Sequence, residues 1–373
     1  ELASIYGGVP LVTTTLTVDD GTKLVRASSR DIFEFVEKEL LAIANDPDML
    51  SAKTMAPTET GRATQEAAWA LLARTYLFFA KDDTALFAKA KDAAKKVIDS
   101  NAFALHPEYQ EIFLEHGYKT KEAVFSILMG DNPAVPIYGS TTPVYCSPRG
   151  ATGGWGFDMP TKDLASEFEE GDPRFLFTVL EQGDVFPKVN GTTEVLDFST
   201  YPTTGYHNRK VYLPESRRGQ GWGNDAWTYH PIRYADVLLM YAEALIESGG
   251  NKEEAAEYIN MVRRRASQST KKDVEAVSRV TKVADKVLAD VKGTDDLRKA
   301  VRHERRVELG MEYHRLTDLI RWNSLVETMQ AYSKKPNSNG KGGNYTKGKN
   351  EVFPVPQIEI DRSGGSIKQN PNY

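Results

Sequence analysis

The chain has 373 residues, 40% of them hydrophobic and 27% charged, and carries a net charge of −5 at pH 7. A chain of that length and composition buries a core large enough to fold without disulfides or metal, and its acidic balance argues against a general nucleic-acid binder or attachment to anionic lipid through a basic patch. The single cysteine, Cys146, excludes an intramolecular disulfide and a Cys-rich metal site.

The longest apolar run, Ala67 to Ala80, is broken by Arg74 and is too short to span a bilayer. The chain opens at Glu1 with no signal-peptide pattern, which reads as a processed or trimmed product.

In chain order, LASIYGGVPLV reads as a helix end, a Gly-Gly turn and an extended piece. Ser28 to Asp31 has the composition of a helix start, and Ile32, Phe33, Val36, Leu40 and Ile43 follow at helical spacing. Thr64 to Lys81 and Ala85 to Ser100 are predicted helices joined by a short Asp82-Asp83 link, which makes them neighbours in a hairpin. From about Gly130 to Tyr229 the chain is rich in Gly, Pro, Thr and aromatics, and only Thr161 to Glu170 reads as helical. Helical patterns return over Ile232 to Ser248, Glu253 to Arg265, Asp273 to Val291 and Thr294 to Leu309. A Gly/Lys/Asn loop, Asn337 to Lys349, precedes an extended FPVP tail. The expected organisation is a single domain over 1–373 in three regions: a helical hairpin region (1–130), a loop-rich ligand or partner region (131–230) and a C-terminal helical region with its tail (231–373). A weak internal repeat relates LLARTYLFFAKDDTALFAKAKDAAKKV to LLMYAEALIESGGNKEEAAEYINMV at an offset of about 166 residues. Both are helix–turn–helix units with Ala and Tyr at contact positions, as in stacked tetratricopeptide hairpins.

The stretch Leu297 to Asn323 concentrates six arginines, three glutamates and two histidines. It is not a zinc site of the HExxH kind, because His303-Glu304 is followed by Val307 where the second imidazole is required. Glu304, Glu308 and Glu312 form an i, i+4 column of like charges that needs cations. Spacing pairs Arg305 with Glu308 and Arg315 with Glu312; Glu304 has no local cation, so its partner comes from elsewhere, with Arg315, Arg321 or the Arg263–Arg265 run as candidates. These residues are read as structural ion pairs. A carboxylate pair for glycoside hydrolysis has no supporting feature, and no GxSxG or GxxxxGK[ST] motif is present. What is left for binding is the aromatic content of the middle loops. Flat rings stack on sugar faces while amide and guanidinium groups bond the hydroxyls. Trp155, Trp222, Tyr145, Tyr138, Asn224 and Arg149 are the candidate ligand-binding residues, with Trp155 and Trp222 set between glycines.

Several runs, in this order, carry a resemblance: YGGVPLV, RATQEAAWALLARTYLFFA, AVFSI, FEEGDPR, IRYADVLLMYAEAL, LRKAVRHERRVELGMEYHRLTDLIRW and FPVPQIEIDRSGGSIKQNPNY. The chain resembles the SusD/RagB family of outer-membrane nutrient-binding lipoproteins. That resemblance implies a mainly α, SusD-like fold with tetratricopeptide-like hairpins and a loop-rich ligand region, with no catalysis; no cofactor or metal site is read from the residues, and a structural metal ion stays open. The resemblance also implies a lipid-anchored cell-surface protein of the outer membrane that captures oligosaccharides, or in some members peptides, for a SusC-like TonB-dependent transporter. A helical-repeat interaction scaffold without a small ligand is the other reading. Family members usually carry a long segment before the YGGVPL-like run, with the lipidated cysteine. Its absence here leads to the expectation of exposed apolar surface near Leu2, Ile5 and Tyr6. Ligands differ across the family, so no binding residue is carried over.

Overall fold

A computed structural model of the chain describes residues 1–130, 139–150, 153–199, 204–218, 223–269 and 287–373. Helix α1 spans Ser29–Asn45 and starts at a reciprocal cap: the Ser28 hydroxyl accepts the Asp31 N–H, and the Asp31 carboxylate accepts the Ser28 N–H. Helix α2, Gln65–Phe79, is capped by Thr64, whose hydroxyl accepts the Ala67 N–H. Helix α3 covers Leu86–Asp99. Strand β1, Ala123–Ile127, and the short helix α4, Thr142–Cys146, lead into the loop-rich region. There β2 (Val179–Glu181) pairs antiparallel with β5 (Tyr206–Asn208), and β3 (Val185–Pro187) with β4 (Thr193–Val195). Strand β6, Tyr229–Arg233, returns to pair antiparallel with β1 and runs directly into α5, Tyr234–Glu247. Then follow α6 (Lys252–Gln268), α7 (Leu297–Glu308), α8 (Arg315–Arg321) and α9 (Leu325–Ser333).

The α2–α3 hairpin stacks through α3 on the α5–α6 hairpin; α1 covers α2, and α7 lies across α5 and α6. Small residues make this layering close: Ala70, Ala73, Ala90, Ala94, Ala235, Ala242 and Ala255 are fully buried among Leu72, Tyr76, Val97, Leu238 and Ile259. A second core, built from Tyr109, Ile112, Phe113, Leu176, Phe186, Leu196 and Tyr212, underlies the loop-rich region. Among the described residues no helix is long and apolar enough to cross a membrane. At the start of the chain Leu2 is exposed, while Ile5 and Tyr6 are half-buried, Tyr6 edge-on to Phe353.

Three predicted helices are altered by tertiary contacts. Thr161 to Glu170 keeps one helical turn, Lys162–Ala165. Ile232 and Arg233 join β6 because β1 takes their backbone. Of Asp273 to Val291, residues 273–286 lie outside the described residues, and the last part is not helical but a strap bonded to α6. The Ser267 hydroxyl accepts the Leu288 N–H, Arg263 Nε donates to the Ala289 carbonyl, and the Asn260 amide bonds both N–H and carbonyl of Val291.

Helix α7 ends at Glu308, so the expected column is cut short: Glu304 and Glu308 of α7, and Glu312 in the turn after it, face inward and sit in a buried ionic cluster. Arg174, Arg233, Arg263, Arg265 and Lys210 meet Glu122, Asp172, Glu304, Glu308 and Glu312, all ten of them buried. Glu308 is bonded by three guanidiniums: Arg174 (2.9 Å), Arg233 (2.6 Å) and Arg265. Arg233 also forks onto Glu312 (2.7 and 2.9 Å) and reaches Glu122 at 2.7 Å. Lys210 Nζ bonds Glu312 at 2.6 Å and lies over the Phe113 ring. Burial would raise the Glu308 and Glu312 carboxyls, but the surrounding cations win: Glu308 is held far below the usual carboxylate range by Arg265, Arg233 and Arg174, and Glu312 is lowered to about 2 by Arg233 and Lys210. Burial pushes the Lys210 ammonium down to about 8 against the pull of Glu312.

The pairings expected from spacing inside the helix are therefore corrected. Arg305 does not serve Glu308; it bonds Asp236 (2.8 Å) and Asp318 (3.0 Å) in a neighbouring cluster that also holds Arg74, Arg321 and Glu243. Arg315 does not serve Glu312, which Arg233 and Lys210 occupy. Glu304 takes Arg174 and, of the three expected sources, the Arg263–Arg265 run, through Arg263 at 3.1 Å. The reason is common to all: a buried charge is held by the partners that desolvate with it, and those come from other segments.

Removing Glu308 strands three buried guanidiniums, so Glu308→Ala should destabilise the fold by about 3–5 kcal/mol, read from the denaturant midpoint. Acid should act through the same cluster. The Glu312 carboxyl lies at about 2 when folded against an ordinary 4.5. Its stabilisation is thus fully present above pH 4.5 and lost as pH falls toward 2, on the order of 3 kcal/mol. The stability gap between wild type and Glu312→Gln should shrink between pH 6 and pH 3; a constant gap would refute this assignment.

Candidate functional site

The loop-rich region presents one ledge of exposed rings. Helix α4 begins with Pro143 in its first turn, where a missing N–H costs nothing. The segment after it doubles back. The Gly154 N–H donates to the Pro148 carbonyl, Trp155 to Val144, Gly156 to Ser147, and Phe157 to Tyr145. That return needs glycine twice over: Gly153 and Gly156 have positive φ, and a side chain on Gly154 would place its Cβ 2.2 Å from the Ser147 carbonyl oxygen. The consequence is that Tyr145 and Trp155 lie with ring centroids 4.6 Å apart, and Phe157 meets Trp155 edge-on at 6.2 Å. All three are substantially exposed, at 39%, 42% and 54%. Contiguous exposed rings are uncommon on a folded surface and mark a contact site. Arg149 is exposed beside them; its Nε donates to the Trp155 carbonyl at 2.7 Å and its stem covers Gly156.

The ledge continues to Tyr313, which spacing arguments do not single out. Asp158 follows Phe157 and has positive φ; its carboxylate accepts the Asn208 amide at 2.9 Å and a hydrogen bond from Tyr313. Burial raises the Asp158 carboxyl, against those two bonds. Tyr313 is 53% exposed and meets Tyr229 edge-on at 6.3 Å, and Tyr229 stacks on buried Trp227. Met311 and Tyr313 both have positive φ, a costly backbone for non-glycine residues that persists where surroundings impose it. Here Glu312, clamped between them by Arg233 and Lys210, imposes it. The buried cluster thus fixes the turn that presents Tyr313.

Other sequence candidates fall differently. Asn224 is a correction: it is buried, and its carbonyl oxygen accepts the Gly139 N–H at 2.6 Å, beside the Ser140–Asp225 bridge, so it staples two loops beneath the surface. Tyr138 and Trp222 lie outside the described residues. Trp227 is buried and donates to the Lys210 carbonyl, pinning its loop. The Cys146 thiol is buried and pushed up to about 12, which leaves it neutral and a poor nucleophile. Among the described residues no group of three or more His, Cys, Asp or Glu side chains is placed to hold a metal ion. The site can stack flat apolar faces and bond hydroxyls at their edges.

Comparison with known proteins fits this architecture. The model of the SusD family matches residues 121–373. SusD-like protein P2 from Formosa agariphila is 25% identical over 391 aligned residues, covering 100% of this chain and 71% of that protein. Among solved structures, a SusD-like carbohydrate binding protein from Bacteroides fragilis superposes with a TM-score of 0.76 at 26% identity, over 97% of this chain and 75% of that one. The surface glycan-binding protein A from Bacteroides thetaiotaomicron in complex with laminarihexaose shares the fold, with a TM-score of 0.75 at 20% identity over 100% of this chain and 75% of that one. The mainly helical architecture is that of these structures, and the chain belongs to the SusD family.

Proposed function

We propose that this protein captures oligosaccharides at the cell surface, without chemistry on them, and passes them to a SusC-like TonB-dependent transporter, to which a lipid anchor in the outer membrane keeps it adjacent. The observation that carries the reading is the ledge of Tyr145, Trp155 and Phe157, extended by Tyr313 and flanked by Arg149. Rings of this kind stack on the apolar faces of pyranoses, and the hydroxyls at the ledge's edge find the Tyr313 phenol and the Arg149 guanidinium. The carbohydrate binding of the Bacteroides fragilis relative supports the ligand class.

Titration of the protein against a panel of neutral oligosaccharides, by calorimetry or Trp fluorescence, should reveal binding. Trp155→Ala should raise Kd by about ten- to a hundredfold with little change in melting temperature, because the ring is half out of the core. Gly154→Ala should weaken binding comparably while keeping every ring, since its Cβ displaces the doubled-back segment. Absence of binding to any glycan, with binding of a peptide digest instead, would replace the ligand class; absence of both would favour a scaffold.

A further inference from the structure

We propose that Arg302 of α7 and Arg315 of α8, which share the Trp322 ring, hold an oxyanion, a sulfate or a carboxylate. The proposal stands apart from the aromatic ledge and does not depend on it. Within Leu297 to Asn323 the other arginines are matched. Arg298 pairs with Glu247, Arg305 with Asp236 and Asp318, Arg306 with Asp163, and Arg321 with Glu243 and Asp318. Arg302 and Arg315 are not: among the described residues neither has a carboxylate within ion-pair distance or a hydrogen-bond acceptor, and Arg302 Nε is buried with no partner.

Both guanidiniums lie over one ring, Trp322, at 4.8 and 5.9 Å from its centroid, with Arg321 over the same ring at 5.0 Å. Stacking on an aromatic face holds a guanidinium in place and leaves its in-plane donors free for an anion. The carboxylates nearest the two are already engaged. Glu243 accepts from Arg321 and from Trp322 Nε1, Glu247 from Arg298, Asp318 from Arg305 and Arg321, and Glu167 from His303. Two partly buried positive charges are therefore in surplus. Burial lowers both, and Arg315, pressed also by Arg306, falls to about 10. A partly desolvated cation without a counter-charge is costly, and a planar or tetrahedral oxyanion accepting from both forks removes that cost. The anion can arrive as a free ion or as a sulfate ester or uronate on an oligosaccharide; the chemistry recognised is the same.

The test uses the full chain and inorganic sulfate at low millimolar concentration, with ionic strength held constant by chloride. Wild type should gain melting temperature in sulfate, and Arg302→Gln/Arg315→Gln should gain none. The double lysine variant, which keeps charge but loses the fork, should gain less than wild type. Without sulfate, Arg315→Gln should melt at or above wild type, because it relieves like-charge repulsion. A marked loss of stability there would show Arg315 to be a packing partner and overturn the proposal. So would equal sulfate responses in wild type and the double glutamine variant. A second arm compares a sulfated oligosaccharide with its desulfated form. A preference of about tenfold or more in wild type, lost in the double glutamine variant, identifies a glycan-borne anion; a sulfate response without that preference identifies a free-ion site. Neutral-glycan binding at the ledge should be the same in all variants.

Discussion

The structure turns on the Glu308 carboxylate. One buried side chain at the end of α7 is bonded by guanidiniums from the start of the Arg174–Thr178 helix, from the last residue of β6 and from α6. Taking these charges out of water is expensive, and the mutual attraction returns the cost only when every partner is in place. Such a cluster adds less to net stability than its number of bonds suggests. What it does is reject alternatives: a slip of β6 by one residue would turn Arg233 away and leave a buried anion short of a cation. Five segments far apart in the chain, at Glu122, Arg174, Arg233, Arg265 and Glu308, are thereby fixed to one relative placement.

Around this cluster the two halves of the molecule are ordered by different means. The helical hairpins pack through small residues and a continuous apolar core, so their geometry follows from shape. The loop-rich region has little regular structure to hold it. It is pinned by buried rings, by side-chain bonds to backbone such as Asn224 to Gly139 and Trp227 to Lys210, and by glycines that admit close backbone approach. The clamped Glu312 joins the two halves, since the turn it stabilises carries Tyr313 to the edge of the aromatic ledge. Rigidity generated in the ionic core is in this way delivered to the exposed surface that carries the rings.

The same arginine-rich stretch has two outlets. Most of its charges are consumed internally. Arg302 and Arg315 are left over, stacked on Trp322.

The sequence alone determined the elements whose signals are local. The spans of α1, α2, α3, α6 and α7 were legible to within a few residues, because the reciprocal Ser28–Asp31 cap, the Thr64 cap, the Asn251 cap and the apolar spacing act between near neighbours. The family was legible too, from ordered motifs, and so was the presence of a ring-bearing segment at Trp155 between glycines. Partnerships were decided only in three dimensions. Spacing assigned Arg305 to Glu308 and Arg315 to Glu312, but in a low-dielectric interior a charge is claimed by whichever counter-charge is buried with it, and the tertiary fold supplied Arg233, Lys210, Asp236 and Asp318. The segment at 288–291 has helical spacing but is a strap, because its backbone groups bond Ser267, Arg263 and Asn260 on α6. Tyr313 carries no local signal of its role, because what exposes it is the clamp on Glu312, a contact between residues that only the folded chain brings together.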